Sequence, residues 1–308
     1  MKFVVFLAKR LLYAAITLLA VFTLTFALMR AVPGGPYASE KNLPAAVKRN
    51  IEARYHFDKP LYQQYFMHLG NTLRLDFGPS LKLEDYTVNE VIAQGFPVSA
   101  SLGIFALVFA LTLGLTAGVV SAVARHSAWD YGFMAVATLG ISVPNFVLAG
   151  LAVILFVFIL NIFPAAGWGT LKNMLLPSLC LGAPFAGYIA RLTRTGMLEV
   201  LGLDYIRTAY AKGLGDRRVV IRHALRGAVL PVVSYLGPAA AGILTGSLVL
   251  ERIFFLPGMG SHFLEAATQR DYTLAMGMVM VYAALLTVMN LLVDISYAVI
   301  DPRVKIDK

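Results

Sequence analysis

The sequence predicts an all-α integral membrane protein with six transmembrane helices, and three observations carry that prediction. First, 58% of the 308 residues are hydrophobic and only 14% are charged, which does not fit a soluble core. Second, the charges are spaced so that six mostly apolar stretches remain, each near the ~20 residues needed to cross about 30 Å of hydrocarbon. Third, lysines and arginines crowd onto one side of the resulting topology.

Taken in order, the charge gaps place helices at 11–29, 98–124, 131–160, 173–190, 227–250 and 272–293. Between them lie a tail at 1–10, loops at 30–97, 191–226 and 251–271, and a second tail at 294–308. The fourth helix is the shortest, with Pro177 and Pro184 inside it; prolines are tolerated where neighbouring helices satisfy the freed backbone groups. Parity supports it. With six spans, fifteen Lys and Arg fall on one side, in the tails, at Arg125 and in the 191–226 loop, against Lys172, Arg252 and Arg270 in the short loops opposite; the eight in the 30–97 loop are exempt from the comparison by its length. The positive-inside rule then puts both termini and the 191–226 loop in the cytoplasm. The net charge of +9 thus reflects topology rather than nucleic-acid binding. The first apolar run exceeds a signal-peptide core and has no small-residue cleavage site before Pro33, so it is read as the first helix.

The 30–97 loop is expected on the outer face. Its acids nearly cancel its bases, and Pro44 and Pro60 each open a stretch of helical spacing: Val47, Ile51 and Tyr55, then Tyr62, Phe66, Leu69 and Leu73. Short amphipathic helices capping the membrane surface are expected there. Within the spans, Gly114 with Gly118 and Gly242 with Gly246 predict close helix packing. Cys180, the single cysteine, has no intrachain disulfide partner.

No catalytic motif is found: neither a phosphate-cradling glycine loop, nor a zinc-binding His pair, nor a nucleophile elbow. The histidines are dispersed, so no metal site is expected. No ionisable residue falls in the middle of the predicted spans, whereas proton- and ion-driven transporters place such groups there. A nucleotide-independent secondary transporter or an intramembrane protease is therefore disfavoured, and energy is expected from a partner.

The contact with that partner is expected in the 191–226 loop, at Tyr205, Ile206, Arg207, Thr208, Ala209, Tyr210, Ala211, Lys212 and Gly213. The alanines keep this helix slim, the tyrosines are aromatic anchors, and Arg207 and Lys212 suit an acidic groove. Gly213-Leu214-Gly215 interrupts the helix.

This segment resembles the coupling loop of the permease subunits of ATP-binding-cassette importers, whose motif is E-A-A-x-x-x-G followed after nine residues by I-x-L-P. Ala209 and Gly213 match it. Arg207 and Thr208 stand in place of Glu and Ala, and His223, Leu225 and Arg226 in place of Ile, Leu and Pro. These departures are the form of the peptide/nickel branch, R-T-A-x-A-K-G-L with R-H-A-L. Further landmarks of that branch are Met29-Arg30-Ala31-Val32-Pro33-Gly34, Asp76-Phe77-Gly78-Pro79-Ser80, Pro257-Gly258-Met259-Gly260 and Arg270-Asp271-Tyr272. Leu43-Pro44, the stretch 50–56 and Phe96-Pro97-Val98-Ser99-Ala100 are most similar to the B-type permease of oligopeptide importers.

The resemblance implies a type I importer permease in a bacterial inner membrane. It also implies a second homologous permease, two cytoplasmic ATPases holding ATP and magnesium, an external substrate-binding protein and a peptide substrate; this chain itself would hold no cofactor. Dipeptide, nickel-chelate and peptide-antibiotic import remain alternatives within the branch. Polarity at span level marks Asn145, Ser234, Tyr235, Thr245, Ser247 and Asn290 as candidate pathway residues. Glu251, Arg252, Pro257, Gly258 and Gly260 are the candidate contact with the binding protein.

Overall fold

The computed structural model describes the backbone of residues 2–32, 56–83, 85–244 and 247–300, with side chains between 5 and 295. In chain order the helices are α1 (Lys2–Ala31), α2 (Leu61–Leu73), α3 (Val88–Val123), α4 (Ala128–Ser142), α5 (Asn145–Ala152), α6 (Leu171–Leu201), α7 (Asp204–Ala211), α8 (Asp216–Arg218), α9 (Leu225–Ala228), α10 (Leu230–Leu244), α11 (Leu248–Ile253), α12 (Met259–Gln269) and α13 (Tyr272–Ile300). Wider π-helical turns follow α5 at Val153–Ile159 and precede α9 at Val219–Ala224. Among the described residues, five helical stretches are long and apolar enough to cross a membrane, and a bent pair makes a sixth when counted as one span.

That bent pair is the main departure from the expected spans. Instead of one helix over 131–160, Ala128–Ser142 and Asn145–Ile159 meet at 107°. Proline supplies the reason. Pro144 has no N–H for the helical ladder and pushes Val143 out of the α region, and Val143 is extended at φ −86°, ψ 125°. By contrast, Pro177 and Pro184 lie inside an unbroken α6, which runs past the expected boundary at 190 to Leu201.

The chain forms two compact units. The first comprises Met1–Pro97 with Met259–Leu285. Its core packs fully buried Phe22 of α1 against Met276 and Met280 of α13, and α2 joins through Tyr65 and Leu69. The Tyr65 ring stands edge-on to Phe22 and Phe26 with centroids 5.4 and 5.5 Å apart, and its hydroxyl lies 2.8 Å from that of Thr23. The helix expected after Pro60 is present. It packs through Tyr65 and Leu69, however, while Tyr62, Phe66 and Leu73 are exposed. The stretch with Val47, Ile51 and Tyr55 lies outside the described residues.

Two landmark motifs of this unit prove to be one joint. Asp271, almost fully buried before α13, accepts hydrogen bonds from the Ser80 hydroxyl, the Leu81 and Lys82 N–H groups at 3.1 and 3.2 Å, and the Leu274 N–H at 3.0 Å. The Thr273 hydroxyl donates to the Pro79 carbonyl at 2.8 Å.

The second unit comprises Val98–Gly258 with Leu286–Lys308. Here α6 is the central element, and small residues let its neighbours close in. A Cβ added at Gly118 would meet Thr193 at 2.5 Å, one at Gly114 would meet Ile189 at 2.7 Å, and one at Gly187 would meet the Ala137 carbonyl at 2.5 Å. The first glycine pair therefore packs as its spacing predicts. Gly242 meets nothing within 4 Å, and Gly246 lies outside the described residues.

Candidate coupling surface and external loop

The segment 205–213 forms α7 because its start and stop signals are strong. Leu203 is extended and Asp204 places an acid in the first turn, where the helix dipole favours negative charge. At the other end Gly213 adopts φ +78°. Its N–H donates to the Tyr210 carbonyl at 2.9 Å, and the Leu214 N–H donates to the Ala209 carbonyl at 3.3 Å. Those two bonds make a Schellman stop, which needs a residue free to turn left-handed.

Two faces of α7 have opposite characters. Ile206 and Ala209 are buried in a cluster with Met197, Val219, Ala224 and Ala228, so the helix is fastened to the end of α6 and to the chain leading into α10. Arg207, Thr208, Tyr210, Ala211, Lys212 and Gly213 are exposed. Arg207 lies 3.5 Å from Asp204 with both side chains in solvent, a pair of little energetic weight that leaves the guanidinium available. Tyr205 leans back, its hydroxyl donating to the His223 carbonyl at 3.4 Å. Of the nine expected residues, Ile206 and Ala209 thus support the helix and the others surround an outward face with Arg207, Tyr210 and Lys212 at its centre.

The described candidate pathway residues lie on α5, α10, α13 and at the start of α11. Tyr235 stacks obliquely on Tyr188 at 5.6 Å and Phe185 at 6.5 Å. Ser234 is exposed and donates to the Leu230 carbonyl at 3.0 Å. Asn290 is exposed beside α10, its Oδ1 3.0 Å from where a Gly237 Cβ would sit. Asn145 opens α5 after Pro144, and Ser247 caps α11 by accepting the Leu250 N–H at 3.4 Å. Thr245 lies outside the described residues.

Of the candidates at 251–260, Glu251, Gly258 and Gly260 are buried within the chain, and Arg252 and Pro257 are exposed. Glu251 accepts the Ser99 hydroxyl at 2.7 Å, and a Gly258 Cβ would fall 2.5 Å from its carboxyl. The glycine at 258 is small because the chain closes over a carboxylate. Ser99 was legible only as part of a motif, since its partner lies 152 residues away.

Sequence reasoning also missed an ion pair between a buried Asp130 and a partly exposed Arg194. Arg194 of α6 donates from Nε and Nη2 to the two carboxylate oxygens of Asp130, at 2.8 and 2.9 Å. The same carboxylate accepts the Ser121 hydroxyl of α3 and the His126 N–H at 3.0 Å. The available signal was Ser127-x-x-Asp130, a helix-start pattern in an otherwise basic turn.

Comparison with known proteins adds four findings. The family model described as "Binding-protein-dependent transport system inner membrane component" matches residues 91–306. The chain is 46% identical over 303 residues to the dipeptide transport system permease protein DppB of Bacillus subtilis, covering 98% of each. It is 47% identical over 302 residues to the oligopeptide transport system permease protein OppB of Haemophilus influenzae, covering 97% of this chain and 99% of that one. Among solved structures, an inward-facing MetNI methionine ABC transporter chain superposes with a TM-score of 0.56 at 16% identity, covering 68% of this chain and 96% of that one. That likeness supports the fold.

Proposed function

The chain belongs to the family of inner membrane components of binding-protein-dependent transport systems, and from that premise we propose that it is the permease subunit of an ATP-driven importer of oligopeptides. The observation that carries the reading is likeness to peptide permeases over nearly the whole chain, joined to a helix, α7, that offers Arg207, Tyr210 and Lys212 to a partner.

The working complex contains this permease, a second homologous one, two cytoplasmic ATPases that hold ATP and magnesium, and an external binding protein that delivers the peptide. Both termini and α7 lie in the cytoplasm. Closure of the ATPases around ATP moves α7, seated in a groove of one of them, and the pathway between the permeases changes from inward-open to outward-open. A contact equally good in both states shifts nothing, so the groove must hold α7 better in one of them. On the outer side, Arg252 and Pro257 form the exposed part of the loop that meets the binding protein, and Ser234, Tyr235 and Asn290 border the pathway.

Identity to a dipeptide permease within one percentage point of that to the oligopeptide permease supports a second reading, in which the cargo is a dipeptide. The test is to purify the complex in mild detergent and measure ATP hydrolysis with binding protein and peptides of graded length. Co-purifying ATPases with peptide-stimulated hydrolysis support the importer, and the length giving the largest stimulation separates the two cargoes. A chain indifferent to nucleotide overturns the proposal.

A further inference from the structure

We propose that Asp130 and Arg194 are positioning residues for energy coupling: their pairing braces α6, the helix that carries α7, against α3 and α4. The inference rests on the reading of α7 as the ATPase-docking helix.

The mechanical problem is visible in α6. Pro177, Pro184, Gly182, Gly187 and Gly196 lie along it, and prolines and glycines weaken a helix against bending. Met197 on the same helix is completely buried in the cluster that holds Ile206 of α7. A displacement of α7 therefore enters α6 at Met197 and, without a lateral brace, is absorbed by flexure of the helix.

Arg194 lies one turn before Met197, where that displacement enters. Its fork grips both oxygens of Asp130, which is planar, directional recognition rather than a diffuse attraction. Asp130 in turn holds α3 through Ser121 and the α3–α4 turn through the His126 N–H. One carboxylate thus joins α3, the turn, α4 and α6. Apolar residues would hold these helices together about as well, since a buried ion pair adds little net stability over well-packed apolar side chains. What the ion pair adds is a fixed register, and register is what transmission of a small displacement requires.

The experiment uses the complete complex in proteoliposomes, with Arg194→Met, Arg194→Lys and Asp130→Asn. Peptide uptake and phosphate release are both measured per assembled complex. Uptake per ATP hydrolysed is expected to fall about tenfold in Arg194→Met and only about two- to threefold in Arg194→Lys, which keeps the charge but loses the fork, while the ATPases remain bound. Wild-type uptake per ATP in these variants overturns the inference, as does a loss that only tracks the amount of assembled complex. If Arg194→Met does not assemble, Arg194→Lys and Asp130→Asn decide the matter. Gly213→Trp serves as the parallel control: normal uptake there refutes the docking role of α7 itself, whereas uncoupling there with full coupling in the brace variants refutes the brace alone.

Discussion

The Ser80 hydroxyl donates to the Asp271 carboxylate across 191 residues of sequence, tying the chain just before α3 to the start of α13. Asp271 also receives the N–H groups of Leu81, Lys82 and Leu274. Asp271→Ala strands those donors, at about 2–4 kcal/mol for the lost bonds and cap. A lower melting temperature in detergent and faster proteolysis near residues 76–88 are expected, with Asp271→Asn intermediate. Wild-type melting of the alanine variant would refute this role.

Gly213 has empty space around its Cβ position, so backbone conformation, not crowding, defines its requirement. Gly213→Ala should cost about 1 kcal/mol in the helix stop and leave transport largely intact. Gly213→Trp should insert into the membrane normally yet release or uncouple the ATPases. Pull-down of the ATPases and peptide uptake distinguish the two variants.

Gly118 and Gly242 make opposite forecasts despite similar spacing motifs. Gly118→Leu drives a side chain into Thr193 and the Ala190 carbonyl and should destabilise by about 1–3 kcal/mol. Gly242→Ala meets nothing and should be near neutral. Thermal unfolding of the two purified variants provides the comparison.

Glu251 is completely buried and held by Ser99. Ser99→Ala removes a bond to a buried carboxylate, at a cost of about 1–3 kcal/mol, and should loosen the loop that closes over it. The readout is stimulation of hydrolysis by the binding protein, which should weaken while basal hydrolysis persists. Arg252→Ala, at the exposed surface, should weaken binding-protein affinity without lowering stability.

Acidification should weaken the first unit through His68 and His262. Burial lowers both imidazoles below 6.5, with Arg30 and His56 adding to the effect at His68 and Glu265 opposing it at His262. The unfolded chain then binds more protons just below that pH, so stability is full above it and is lost as pH falls through the lowered pKa of each imidazole. Melting curves across this window, compared with His68→Asn, test the sign.

Much of the membrane fold was legible in the gaps between charges, because hydrocarbon penalises charge and each span must satisfy its own backbone. Helix α7 was legible for a local reason: its stop, Gly213, and its apolar residues Ile206 and Ala209 lie within a few residues of each other. The ion pair Asp130–Arg194 and the Ser99–Glu251 contact were not, since pairing over 64 and 152 residues leaves no periodicity to detect. The bend at Pro144 had a visible cause, yet Pro177 and Pro184 sit in a continuous helix. Whether a proline breaks a span depends on what its neighbours supply, and that is a property of packing.

The sharp turn after Ser142 has a bearing on the lipid as well. Fifteen residues of α4 rise only about 22 Å, short of a hydrocarbon layer of about 30 Å, and the chain then departs at 107° instead of completing the crossing along the same line. No straight helix at this place carries the chain across the hydrocarbon by itself, so the crossing is shared between α4 and the bent segment Asn145–Ile159, and the apolar wall there is made of two short pieces and not of one rod.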